Sequence, residues 1–182
     1  MPASENRVRV ILFDLKKAAS LIDGWKPNTE AALALSEPYA ERMSIEGVKD
    51  ATSAAVLSLA CAVTADAYRE DKRYVEAADM YQRAAAHCPK GGFAGFYAAM
   101  VVDQKMEAHY STALHCLRES QASWRKSAWY TKAVGYMWLI GSILRQPWNM
   151  PGWIRAFRRE KTIGRELEEA IDRQINGFAA SK

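Results

Sequence analysis

Residues 58–89 read SLACAVTADAYREDKRYVEAADMYQRAAAHCP, and this stretch decides the fold. Ala54, Ala55, Leu57, Leu59, Ala60, Ala62 and Ala65 mark a helix from Asp50 to about Tyr68. The polar Glu70-Asp71-Lys72 makes a turn, and a second helix runs from Val75 to His87 until Pro89-Lys90-Gly91-Gly92 closes it. Two helices this rich in alanine, joined by so short a turn, fold back on each other because small side chains let their backbones approach closely. Downstream, the apolar spacing predicts helices from Phe93 to about Met106, from Ser111 to about Gln121, and from Ser127 to Arg145. A last helix enters at Asn149-Met150-Pro151 and continues towards Gly177. Upstream, Val10, Phe13, Leu15, Ala18, Leu21 and Ile22 mark a helix over 6–22, ended by Asp23-Gly24 and Lys26-Pro27. Asn28 or Thr29 caps the next helix, which Gly47 terminates and Pro38 is expected to break or kink. No strand-length segment alternates with period two, so the expectation is an all-α chain of seven to eight helices.

The chain has 182 residues, 49% apolar and 25% charged, with only 10 glycines and 6 prolines, a balance that excludes disorder and small disulfide-stapled scaffolds. A single domain over 1–182 is expected, with N-terminal helices over 1–50, hairpins over 51–122 and basic, aromatic helices over 123–182. The start MPASENRVRVILFDLKK lacks the order of a secretory signal, and the longest apolar run, 133–144, falls short of the roughly 20 residues a membrane helix needs. Neither export nor a transmembrane segment is therefore expected. Cys61, Cys88 and Cys116 form no CxxC unit and cannot all pair internally, which reads as buried, reduced thiols in the cytoplasm. The net charge of +4 is uneven: 123–165 holds 9 basic residues against one acidic, together with Trp124, Trp129, Trp138, Trp148 and Trp153.

Within 58–89 the spacing W-x2-L-G-x2-Y, A-x3-F, P is met in outline: Ala65 and Tyr68 in the first helix, then Ala77, Tyr81, Ala84 and Pro89. Cys61 and Thr64 stand where Trp and Leu are usual. The segment resembles a tetratricopeptide (TPR) repeat. A poorer copy follows, in which Tyr110, Ala113, Leu117 and Ser120 answer Tyr74, Ala77, Tyr81 and Ala84 at a shift of 36 residues, and Trp129, Ala133 and Tyr136 give a half-match. The resemblance covers roughly 80 residues and does not reach 1–50. Tyr74 to Ala84 is also similar to the core of microtubule-interacting-and-trafficking hairpin domains, whose third helix is not evident after Gly92. TPR likeness implies stacked antiparallel hairpins that bind a partner segment on a concave face, placed here near Ala62, Asp66, Tyr97 and Val101. The apolar Leu59 and Val63 argue against the subset that clamps chaperone tails.

Chemical motifs are sparse. His87-Cys88 and His115-Cys116 supply two imidazoles and two thiols, but their separation of 28 residues is out of step with the repeat, so no metal is expected. No GxSxG, HExxH, ExxH or phosphate loop occurs, and Gly91-Gly92 with Gly95 follows no strand; no cofactor is expected. Asp79–Arg83 and Glu169–Arg173 are spaced as ordinary i,i+4 pairs. The last helix has an amphipathic stripe (Ile154, Phe157, Ile163, Leu167, Ile171, Ile175) and charges running against its dipole, with Arg155, Arg158 and Arg159 early and Glu166, Glu168, Glu169 and Asp172 late. Three explanations compete: an antiparallel homodimer through this helix, an anionic partner bound by the Arg cluster with Trp148 and Trp153, or a capping helix whose charges pair within the chain or are simply solvated. The resulting expectation is a non-catalytic adaptor binding a peptide or helix of a partner protein. The alternatives are a helical enzyme whose pocket shows no motif, and a binder of nucleic acid or lipid headgroups through 123–165.

Overall fold

The computed structural model describes residues 3–23, 26–46, 50–88, 92–129 and 150–180. Among them every regular element is helical: α1 (Ala3–Ile22), α2 (Thr29–Glu46), α3 (Ala51–Glu70), α4 (Tyr74–His87), α5 (Phe93–Asp103), α6 (Tyr110–Lys126) and α7 (Met150–Ala180), with a 3-10 turn at Glu107–His109. The helix expected over 127–145 and the apolar run 133–144 lie, apart from Ser127–Trp129, outside the described residues.

Local chemistry sets the helix starts. Asn28 Oδ1 accepts the Ala31 amide at 3.1 Å, satisfying a donor at the start of α2. Asp50 caps α3: its carboxylate accepts the Ser53 amide at 2.7 Å while Ser53 Oγ accepts the Asp50 amide at 3.0 Å. α2 runs through Pro38 without the expected break. The lost hydrogen bond is offset by packing, since Ala32, Ser36 and Ala40, one turn apart on a single face, are fully buried.

Each helix packs on the one before it, and α1 also lies on α3, α4 on α6, and α7 on both α5 and α6. α3 is the central element, buried on most of its circumference. By length and composition it alone of the described helices could cross a membrane, a role the expectation assigned to no segment, yet it is mostly buried among α1, α2 and α4. Its two inward hydroxyls are satisfied: Ser58 donates to the Ala84 carbonyl at 2.6 Å, and Thr64 donates to Ala60 at 2.9 Å and lies 3.0 Å from the Ser36 hydroxyl. Alanines line the contacts (Ala60, Ala65, Ala67, Ala77, Ala78, Ala84, Ala98, Ala113), and between them sit Leu15, Leu57, Tyr81, Tyr97, Leu117, Ile163 and Leu167.

The turns after α3 and α5 share one geometry, 33 residues apart. Arg73 N–H reaches the Tyr68 carbonyl at 2.8 Å and Met106 N–H reaches Val101 at 2.9 Å, with Lys72 and Lys105 at φ of 62° and 52°. α5 therefore stops at Asp103 rather than Met106. The 3-10 turn follows only in the second case, and its three residues turn a 33-residue interval into the 36 read between Tyr74 and Tyr110.

Four tyrosine hydroxyls bind successive helices. Tyr39 (α2) donates to Asp14 (α1), Tyr68 (α3) to Glu37 (α2), and Tyr81 (α4) to Asp66 (α3). Tyr97 (α5) donates to Gln82 Oε1 (α4) at 3.3 Å. Burial and Glu37 push the Tyr68 phenol up to about 12, so it stays a donor throughout the physiological range.

Close α3–α4 contact makes a prediction. Ala77→Leu inserts three carbons where the residue has no exposed surface and should destabilise by about 1–3 kcal/mol, read as a lower urea midpoint at unchanged slope.

Candidate functional site

The expected concave-face residues separate on folding. Ala62, Tyr97 and Val101 are 4%, 0% and 0% exposed and belong to the core, so they offer a partner no surface. Asp66 keeps 40% of its side-chain exposure. The register on α5 is off by one residue: Tyr97 points inward, and Phe96, one step (about 100°) round the helix, is the exposed aromatic at 49%.

Asp66 of α3 and Phe96 of α5 are linked through Tyr81 of α4. α4 packs on both α3 and α5, and its Tyr81 bridges the two. The Tyr81 ring stacks on Phe96, with centroids 6.2 Å apart and planes 16° from parallel, while its hydroxyl donates to Asp66. Arg69 lies 3.1 Å from Asp66, donates to the Tyr81 hydroxyl at 3.0 Å and pairs with Glu70 at 3.2 Å. The result is a held charge pair beside a half-exposed aromatic face. Burial raises the Asp66 carboxyl above its ordinary range, opposed by Arg69 and by the Tyr81 hydroxyl; burial, then the Asp66 charge, raises the Tyr81 phenol.

The basic, aromatic stretch is only partly described. Trp148 lies outside the described residues, and so do the side chains of Trp153, Arg155 and Arg158, which belong to the first turns of α7. Arg159 forms a two-pronged pair with Asp103 of α5, one prong at 2.9 Å, and Glu166 lies 4.0 Å away. Its charge is thus used inside the chain, which for this residue favours ion pairing within the molecule. Arg118 of α6 pairs with Glu168 at 2.7 Å, and Gln174 donates to Glu107 at 3.2 Å. Glu169 pairs with Arg165 at 3.5 Å, Arg173 donates to the Glu169 carbonyl, and Arg83 reaches across to the Ala40 carbonyl of α2 at 3.0 Å. At the end of α6, Arg118, Gln121, Ala122, Arg125 and Lys126 line an open cavity of about 350 Å³.

Cys61 is buried, but Cys88 and Cys116 are half-buried rather than buried as expected. His115 faces Glu119 at 3.6 Å, and burial, then Glu119, raises the Cys116 thiol. Among the described residues no three of His, Cys, Asp and Glu are grouped to hold a metal.

Compared with protein-family models, with curated proteins and with solved structures, the chain matches none.

Asp66 gives a pH prediction. Its folded pKa lies above 3.8, so its contribution to stability is full below that value and is lost as pH rises through the folded pKa. Asp66→Asn keeps an acceptor for Tyr81 and does not titrate. The Tm of this variant minus that of the wild type should therefore grow as pH rises from about 4 towards neutrality and then level off. A constant difference would mean that Asp66 titrates alike in the folded and unfolded chains.

Proposed function

We propose that this protein is a stack of TPR-type helical hairpins acting as a cytoplasmic adaptor, and that it binds a segment of a partner protein across the α3–α5 junction. The repeated turn geometry after α3 and α5 and the neighbour-on-neighbour packing support the hairpin reading. The observation that carries the binding site is the half-exposed Phe96 ring stacked on Tyr81, whose hydroxyl holds Asp66 beside Arg69. An aromatic face fixed from beneath gives contact area at low entropic cost, and a neighbouring guanidinium and carboxylate can take the carbonyls, amides or charges of a bound peptide.

A second reading, binding of an anionic partner, draws on the α6 cavity. Arg125 and Lys126 stand there about two turns beyond Arg118 on α6, next in sequence to the stretch containing Trp129.

Selection from a displayed peptide library tests the first reading. Peptides enriched on the wild type should bind Arg69→Ala/Phe96→Ala at least about tenfold more weakly, since aromatic and arginine anchors dominate such interfaces. The variant should keep wild-type circular dichroism, because both side chains are partly exposed. Equal binding by the variant would refute the site. Selected acidic peptides that depend on Arg125 and Lys126 instead would favour the second reading.

A further inference from the structure

The outward flank of α1 combines an exposed aromatic residue with exposed cations. Ile11, Leu15, Ala18 and Ile22 form its buried line against α2 and α3. Phe13 stands two residues from both Ile11 and Leu15, about 200° round the helix, and is 69% exposed; Val10 and Leu12 are 54% and 40% exposed. The residues three and four positions from Phe13, its neighbours on the helix surface, are Val10, Lys16, Arg9 and Lys17, all exposed. Asp14, the acid nearest to Phe13 in sequence, is half-buried and accepts the Tyr39 hydroxyl, so its charge is directed to α2 and away from this flank.

We infer that this flank is a docking surface for an anionic lipid bilayer, with Phe13 and Val10 entering the headgroup–acyl boundary and Lys16 and Lys17 meeting lipid phosphates and carboxylates. The arrangement decides the occupant. At the centre of a protein–protein contact lysine is depleted, because its charge must be stripped of water. Here two exposed lysines, Lys16 and Lys17, are the helix-surface neighbours of the aromatic residue. At a membrane surface that mixture is favourable: the lysine stems lie along the apolar side chains while their ammonium groups reach the headgroups. The flank of a helix is convex and suits a plane. The surface is separate from the α3–α5 junction and does not depend on it.

Cosedimentation of the full chain with vesicles tests the inference, using phosphatidylcholine with about 30% phosphatidylserine against phosphatidylcholine alone at about 0.1 M salt. The wild type should bind the anionic vesicles and not the neutral ones. Phe13→Ser and Lys16→Glu/Lys17→Glu should each weaken binding by about tenfold or more, since each cation near such a surface contributes roughly fivefold. Val10→Ser serves if Phe13→Ser does not fold. Lys72→Glu/Lys105→Glu, which makes the same charge change in the turns after α3 and α5, should bind like the wild type. Absence of binding to anionic vesicles would overturn the inference. So would equal loss of binding in the turn variant, or vesicle-free self-association that requires Phe13, which would make the occupant a second copy of the chain.

Discussion

Tyrosine hydroxyls donating to the preceding helix are what make an alanine-lined stack a defined structure. Alanine faces allow α3 to approach α4 and α2 closely, but they form shallow ridges and set the sliding position of one helix on another only weakly. A tyrosine adds a large buried ring and a hydroxyl that must find an acceptor. When the acceptor sits on the previous helix, as for Tyr39–Asp14, Tyr68–Glu37, Tyr81–Asp66 and Tyr97–Gln82, both the axial position and the rotation of the helix are fixed. A hydrogen bond to a charged group contributes about 1.5–3 kcal/mol, more than an exposed ion pair of the Arg165–Glu169 kind.

The same constraint explains why the two central hairpins are not copies. Their turns superpose in pattern, with a left-handed lysine in each, yet Glu107–His109 adds one short turn before α6. That turn places His109 Nδ1 2.8 Å from the Tyr97 hydroxyl, with the two rings edge to face. Tyr97 thereby gains a partner on its C-terminal side as well as Gln82 on α4. Tyr81 is placed differently, between Asp66 on α3 and Phe96 on α5, and its neighbourhood reaches the surface. One residue type closes the core at one hairpin and opens a junction at the other.

Much of the helix pattern was legible in the sequence because its signals are local. The Asn28 cap of α2, the Glu70-Asp71-Lys72 turn and the alanine spacing of α3 and α4 need no tertiary information. The orientation of α5 was not legible. FAGFYAAMVV is apolar on every side, so periodicity could not tell Phe96 from Tyr97 or say that Val101 is buried. Nor could spacing reveal that Arg159 would meet Asp103, 56 residues earlier, or that Tyr68 would find Glu37. Long-range polar pairing leaves no period in the chain. The signal available for Tyr81 was the 15-residue interval from Asp66, repeated between Gln82 and Tyr97, and it becomes meaningful only once α4 is known to lie between α3 and α5.

Charge in this molecule is divided between groups that join helices and groups that face outward. Arg69, Arg118 and Arg159 reach carboxylates, and Arg73 lies 4.3 Å from the centre of the Tyr68 ring while also pairing with Glu76 at 3.0 Å. The planar arginine fork suits these tasks, since it can meet a carboxylate on two prongs or lie over a ring. Lys16, Lys17 and Lys126 lie at the surface, where a flexible, strongly hydrated ammonium is placed to meet a mobile or diffuse negative charge. α7 follows this division. Its register against α5 and α6 is marked by Arg159–Asp103 and Arg118–Glu168, but exposed pairs contribute little, so its docking energy comes from burying Ile163 and Leu167 beside Leu117. For Arg159 and Glu168 the reversed charge order along α7 matches the acid and base its neighbours present, Asp103 on α5 and Arg118 on α6.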